Sequence, residues 1–184
     1  MKDINLLIEK LKKDVEIEDS KEAFRNVICE ISKFYTENLN VKEEEISILL
    51  VNNDKTILSF VCPSFLIDSG MIPVSSDDAL ASKIFKTGRP LLENNLQAQK
   101  HLCIFEIIPT PDNKIKPIWK MIGALIYVND EKLGVIEISR RSLVFSEAGE
   151  DFSSRDLDFL EKTMFKFAPF IKKAMPSNLT VKIS

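Results

Sequence analysis

Apolar positions recur at the helical period of three to four residues near both ends of the chain. The stripe nearest the start consists of Ile4, Leu7, Ile8, Leu11 and Val15. A second stripe of this kind predicts a helix over about 21–38, and a third predicts a closing helix from Ser153 to about Met175. We therefore expect amphipathic helices before and after the central part of the chain.

Between these helices the pattern changes to that of strands. The segments ISILLV and TILSFVC are rich in β-branched and apolar residues, and NNDK between them suits a tight turn. IWKMIGALIYV and LGVIEIS, joined by NDEK, predict a second hairpin, whose nearly continuous apolar runs are typical of central strands. RPLLEN and HLCIFEII predict a short extended piece and one more strand. Strands joined mostly by hairpins and flanked by helices indicate an α+β domain with an antiparallel sheet.

A further short helix and a loop separate the two hairpins. SSDD predicts the helix start with Ser75 as N-cap, and Gly88 suits the left-handed geometry that follows a helix end. The proline-broken IPTPDNKIKP predicts an exposed loop. We divide the chain into an N-terminal amphipathic helix and linker (1–19), one domain (20–175) and a C-terminal tail (176–184).

Composition narrows the class of protein. The 184 residues carry 45% hydrophobic and 29% charged side chains, which is typical of one globular domain. The formal net charge is −3 and the lysines are scattered, so the chain has no nucleic-acid footprint. No run approaches the roughly 20 apolar residues of a membrane span, and the start carries charge every few residues. We expect a cytoplasmic protein that does not bind a membrane.

Residue types that bind metals or form disulfides are few. The three cysteines are far apart and form no CxxC pair, which predicts reduced thiols. His101 is the only histidine, so no histidine-based metal cluster is expected from this chain alone.

Three stretches in order resemble the GAF domain, a sensory module related in architecture to PAS domains. They are LASKIFKTGRPLLENN, LIYVNDEKLGVIEISRR and FSSRDLDFLEKTMFKFAPFIKKA. The resemblance covers roughly residues 20–175. It implies a six-stranded antiparallel sheet with the terminal helices on one face and a ligand pocket on the other.

Members of this family that bind cyclic nucleotides carry a signature of Asn-Lys, then Phe, three residues and Asp-Glu. Ser139 and Arg140 stand at the Asn-Lys positions, Phe152 and Asp156 match, and Leu157 replaces the Glu. A second interpretation needs no ligand, because Ser153 and Asp156 form the pattern of a capping box, flanked by a Phe152 and Leu157 staple. Helix initiation accounts for every matching residue, so we do not predict cyclic-nucleotide binding.

Possible ligand contacts follow from the same resemblance, and no catalytic residue is assigned. Arg89 and Arg140 offer guanidinium groups to an anionic ligand, and the residues of the predicted pocket strand are His101, Cys103 and Phe105. Some relatives hold haem by one histidine or a bilin by a cysteine followed by histidine. A hydrogen-bonded His101 and the reversed order in HLC favour neither cofactor, and the sequence requires none.

The closing helix shows the seam spacing of a coiled coil. The seam residues are Leu157, Leu160, Met164, Phe167 and Ile171. Because Phe159, Phe165 and Phe170 add further apolar surface, we predict a homodimer through the terminal helices, with an intramolecular core as the competing explanation. Pro169 predicts a kink near the end of the helix.

The expected function is that of a stand-alone GAF-type sensory or regulatory domain. It would bind a small molecule and signal through its terminal helices to a dimer partner or an unidentified signalling protein. The alternative is a ligand-free dimerisation or protein-interaction module. A more distant alternative is an enzyme like the free methionine sulfoxide reductases, which use several pocket cysteines. Cys62 and Cys103 would have to serve, yet neither has a basic neighbour in sequence.

Overall fold

The computed structural model describes residues 3–98 and 108–176. The helices in these ranges are α1 (Ile4–Asp14), α2 (Ser20–Leu39), α3 (Leu80–Thr87) and α4 (Ser154–Ala174). The strands are β1 (Ile46–Val51), β2 (Ile57–Cys62), β3 (Met71–Pro73), β4 (Leu91–Glu93), β5 (Ile118–Val128) and β6 (Glu131–Arg141). The predicted α+β class is confirmed.

The six strands form one antiparallel sheet in the order β3-β2-β1-β6-β5-β4. Both predicted hairpins are present, and β1 and β6 lie at the centre. The turn between β1 and β2 is held by Asn52, whose side-chain oxygen accepts from the backbone N–H of Thr56 at 2.9 Å and of Ile57 at 3.1 Å. This side chain explains why NNDK makes a tight turn.

The two faces of the sheet differ because side chains alternate along each strand. Ile46, Ile48 and Leu50 of β1 face the main core, which also contains the buried sides of α1, α2 and α4. Leu49 and Val51 face a smaller core under α3. The expected placement of the terminal helices on one face is therefore confirmed.

The apolar seam of α4 lies inside the monomer. Leu160, Met164, Phe167 and Ile171 are at most 1% exposed, and Leu157 packs partly buried against the same core. The four buried residues are not available to a second chain, so the prediction that they form the dimer contact is wrong. The whole seam is used within one chain because α4 packs on α2 as well as on β5.

The first helix also belongs to this core. Leu7 and Leu11 of α1 are buried in the cluster that holds α2 and α4 together. The expected amphipathic surface outside the domain core is thus taken up within the chain. No helix in the two described ranges has the length and apolar character needed to cross a bilayer.

Two local predictions need correction. Helix α3 begins at Leu80, after Ala79, and Ser76 rather than Ser75 accepts from the backbone N–H of Ala79, at 3.2 Å.

Strand β3, an edge strand, was not predicted, because a three-residue segment has too few positions to show a period. The predicted strand HLCIFEII lies outside the described residues except for Ile108, which is not in a strand. Gly88 ends α3 with φ +69°, as predicted.

Candidate functional site

A cavity of about 60 Å³ lies on the face of the sheet opposite α2 and α4. Its floor is polar and comes from neighbouring strands: Ser47 of β1 pairs directly with Glu137 of β6, and Ser139 follows two residues later. The walls are apolar and include Phe60, Leu66, Ile72, Ala81, Leu96 and Met121. A polar floor within apolar walls is the usual composition of a small-molecule site.

Arg141 is the cationic side chain of this cavity. It is 5% exposed, lies at the end of β6, and donates from Nε to the carbonyl oxygen of Lys116 at 3.0 Å. Its backbone N–H donates to a carboxylate oxygen of Glu45 at 2.7 Å. The guanidinium is therefore fixed by the chain around it and contributes positive charge beside the carboxylates of Glu44 and Glu137.

Glu45 holds the end of β6 in place through hydrogen bonds. Its second carboxylate oxygen accepts from the backbone N–H of Lys42 at 2.7 Å, and its carbonyl oxygen accepts from the Ser139 hydroxyl at 3.1 Å. Glu45 is 6% exposed, and each of its carboxylate oxygens accepts a backbone N–H. Because buried carboxylates are costly without such partners, this network fixes the positions of Ser139 and Arg141.

Arg140, the predicted pocket arginine, points to the other face of the sheet. Its guanidinium nitrogens donate to the carbonyl oxygens of Leu39 at 3.4 Å and Asn40 at 3.2 Å, where α2 ends. The guanidinium carbon lies 4.6 Å from the centre of the Phe152 ring. Arg140 therefore caps α2 and stacks on the core, and it does not line the cavity.

The other predicted contacts are not brought together at the cavity. Arg89 is exposed after α3 and is not part of the cavity lining. His101, Cys103 and Phe105 lie outside the described residues. Groups of three or more residues able to hold a metal ion are absent from the described ranges 3–98 and 108–176.

The remnant of the cyclic-nucleotide signature serves mostly to start α4. The Ser153 hydroxyl accepts from the Asp156 backbone N–H at 3.3 Å, and the Asp156 carboxylate accepts from the Ser153 backbone N–H at 2.7 Å, so the predicted capping box is present. Phe152 is buried and exchanges two hydrogen bonds of 2.9 Å with the side chain of Asn94. Of the motif positions, only Ser139 lines the cavity.

Cys62 is buried on the helix side of the sheet. Burial raises the pKa of its thiol to about 12, and its nearest polar partners are the Ser32 hydroxyl at 3.7 Å and the Ile46 carbonyl oxygen at 3.6 Å. Such a thiol is almost entirely protonated at neutral pH, and the protonated form is a poor nucleophile. Cys29 is half-buried on α2.

The sequence missed Ser47, Glu137 and Arg141 because the signal that identifies them is positional. Each lies on the strand face opposite the main apolar stripe, at positions 47, 137 and 141 between residues such as Ile46, Ile48 and Ile138. Polar residues at every second position of an apolar strand are the signal that identifies these side chains, whereas the family signature covers only Ser139 and Arg140 of this strand.

Comparison of the chain with models of known protein families and with curated proteins gives no match. Comparison with solved structures gives matches of low identity and high coverage. The GAF domain from Acinetobacter phosphoenolpyruvate-protein phosphotransferase is 10% identical, with 95% of this chain and 96% of that chain covered and a TM-score of 0.62. A methyl-accepting chemotaxis protein, residues 122 to 287, is 16% identical, with coverage of 91% and 96% and a TM-score of 0.63.

A third similar structure is the type II free methionine-R-sulfoxide reductase from Thermoplasma acidophilum. It is 17% identical, with 84% of this chain and 96% of that chain covered and a TM-score of 0.59. Likeness at these identities concerns the fold alone. The chain has the fold of GAF domains, as the sequence resemblance implied.

Proposed function

We propose that this chain, whose fold is that of GAF domains, is a sensory or regulatory domain that binds a small polar molecule in the cavity over β6. The observation that carries the proposal is the polar floor of Ser47, Glu137 and Ser139 inside apolar walls, with Arg141 fixed beside it. Both hydrogen-bond donors and acceptors face a space that side chains do not fill.

The size of the cavity limits the ligand. A cavity of about 60 Å³ is several times smaller than the usual small-molecule site of about 300–1,000 Å³. A nucleotide does not fit in that space. We therefore propose a ligand of only a few non-hydrogen atoms, of the size of acetate, urea or glycine.

The test is thermal stabilisation of the purified full chain by a panel of short acids, amines, amino acids and nucleotides. A ligand at a hundred times its dissociation constant adds about 2.7 kcal/mol to the free energy of unfolding, so one of the smallest compounds should raise the melting temperature by several degrees. Ser47→Leu should abolish that rise, because the larger side chain fills the cavity without removing a hydrogen bond that Ser47 makes in the fold. Arg155→Leu, on an exposed position of α4, is the matched control and should keep it.

The second candidate is a protein-interaction module without a ligand. It is favoured by the same small volume, since about 60 Å³ lies well below the 300 Å³ at which ligand sites usually begin. Absence of stabilisation by every compound of the panel would favour this candidate over the sensor.

We propose a non-enzymatic role. Among the described residues that line the cavity there is no cysteine, and Cys62, on the other side of the sheet, is held in its protonated form by burial. Turnover of free methionine sulfoxide by the purified chain would contradict this proposal. We also propose that output passes through the terminal helices to a second copy or a signalling protein.

A further inference from the structure

A second and larger cavity lies on the helix side of the sheet. It has a volume of about 350 Å³ and lies between α2 and the segment that follows β2. Its volume falls within the usual range for small-molecule sites, about 300–1,000 Å³. Its lining shares no residue with the lining of the first cavity.

The deeper walls of this cavity are mostly apolar. Phe24 and Ile28 lie one turn apart on α2, and Val61 and Ile67 face them from β2 and the turn after it. Cys29, Cys62 and Ser32 complete the interior and offer only weak or short polar groups. A ligand body that fills this space should therefore be apolar.

The charged side chains that line the cavity stand at its rim, two carboxylates against one guanidinium. The carboxylates of Glu43 and Asp68 stand at the rim against the single guanidinium of Arg25, and all three residues are exposed. A cationic group held at the rim would meet two carboxylates while remaining in contact with water. The same carboxylates would repel an anionic group.

We propose that this cavity is a second ligand site, for a small molecule with an apolar body and a positively charged head group, such as an alkyl- or arylammonium ion. The body occupies the space between Ile28 and Ile67, and the head lies at the rim beside Glu43 and Asp68. The site is independent of the function proposed above, because it uses other residues on the other side of the sheet.

The experiment uses three probes with the same aromatic body: phenethylammonium, 2-phenylethanol and 3-phenylpropionate. Each is titrated into the isotopically labelled full chain, and backbone amide shifts are followed by nuclear magnetic resonance. The expected shifts concentrate in residues 24–32 and 61–68, with the cation binding roughly three- to tenfold more tightly than the alcohol and the anion binding most weakly. Shifts elsewhere, or equal affinities for cation and anion, would overturn the proposal.

Two variants separate the body of the site from its rim. Cys29→Phe fills part of the cavity and should weaken all three probes by at least about tenfold, whereas Lys166→Phe on the exposed side of α4 should leave them unchanged. Asp68→Asn, at an exposed position that keeps the fold, should weaken the cation severalfold and spare the alcohol. Unchanged binding to both cavity variants would refute the site.

Failure of this site is distinguishable from failure of the first. Ser47→Leu should leave phenethylammonium bound, with its shifts still in residues 24–32 and 61–68, because Ser47 lies on the opposite face of the sheet. Complete loss of these shifts in the variant would overturn the proposal.

Discussion

Arg140 and Arg141 are consecutive residues with opposite surroundings. The strand alternation of β6 turns Arg140 toward the end of α2 and Arg141 toward the first cavity. Arg140 donates to two carbonyl oxygens at the end of α2. The last carbonyl groups of a helix have no partner within the helix, and a C-terminal cap supplies the missing hydrogen bonds. Its role is therefore in stability, and of the two arginines only Arg141 lines the cavity.

Replacing Arg140 with alanine should test this division. The variant loses two hydrogen bonds to the end of α2 and the contact with the Phe152 ring, so we expect the free energy of unfolding to fall by about 1–3 kcal/mol. Urea titration followed by circular dichroism measures the change. Arg89→Ala, at an exposed position, is the matched control and should change stability by less than about 0.5 kcal/mol. Equal effects of the two replacements would contradict the capping role.

How far single residues could be predicted depends on whether their role is local. The Ser153 and Asp156 capping box lies within four consecutive residues, and its spacing alone was enough. The roles of Glu45 and Arg141 depend on a hydrogen bond between residues 96 positions apart. Such a contact requires the register of β1 against β6, which hydrophobic spacing in one sequence does not contain.

At the scale of elements, β1 and β6 approach each other unusually closely at Gly134. A Cβ atom built on Gly134 would lie 2.0 Å from the carbonyl oxygen of Leu49, a backbone atom that cannot rotate away. Gly123 on β5 differs, since its Cβ would meet the end of the Ile84 side chain at 2.6 Å, and that side chain can adopt another rotamer.

Gly134→Ala should therefore be far more damaging than Gly123→Ala. We expect a loss of at least about 3 kcal/mol at Gly134, because the central strands must separate, and about 1 kcal/mol at Gly123. Denaturant unfolding of the two variants gives the comparison. If both lose the same free energy, the close approach of β1 and β6 is not a constraint on the fold.

Most elements with a long apolar pattern were predicted, and the short ones were not. Helices α2 and α4 and the strands of both hairpins have enough positions for a period to appear. Strand β3 has three residues and owes its strand geometry to pairing with β2. Four serine and aspartate side chains precede Ala79, whose backbone N–H is capped, so the SSDD pattern alone places the start of α3 too early.

At the scale of the whole molecule, the apolar surfaces of the terminal helices are mostly buried within the chain. Leu6 of α1 remains 68% exposed and Phe165 of α4 remains 57% exposed, with the Phe165 ring 5.9 Å from that of Tyr127. The seam spacing could not distinguish an internal partner from an external one, because both require the same stripe. We propose Leu6 and Phe165 as the contact surface of a homodimer.

Sedimentation equilibrium over a dilution series should show a dimer at micromolar concentration. A Leu6→Asp and Phe165→Asp double variant should be monomeric at the same concentration, because the charge removes apolar contact without reaching the core. Arg155→Asp, also exposed, should remain dimeric. A monomeric natural chain would disprove the dimer, and the terminal helices would then act on another protein or on none.

The turn after β2 forms part of both cavities. Leu66 lines the first cavity and Ile67, the next residue, lines the second. A ligand in either cavity would therefore touch the same short segment, residues 64–67, which connects the two sites. By thermodynamic linkage, if filling one cavity changes affinity at the other by some factor, the reverse effect has the same size. The two ligands, one small and polar and one apolar and cationic, would then regulate each other through a single turn.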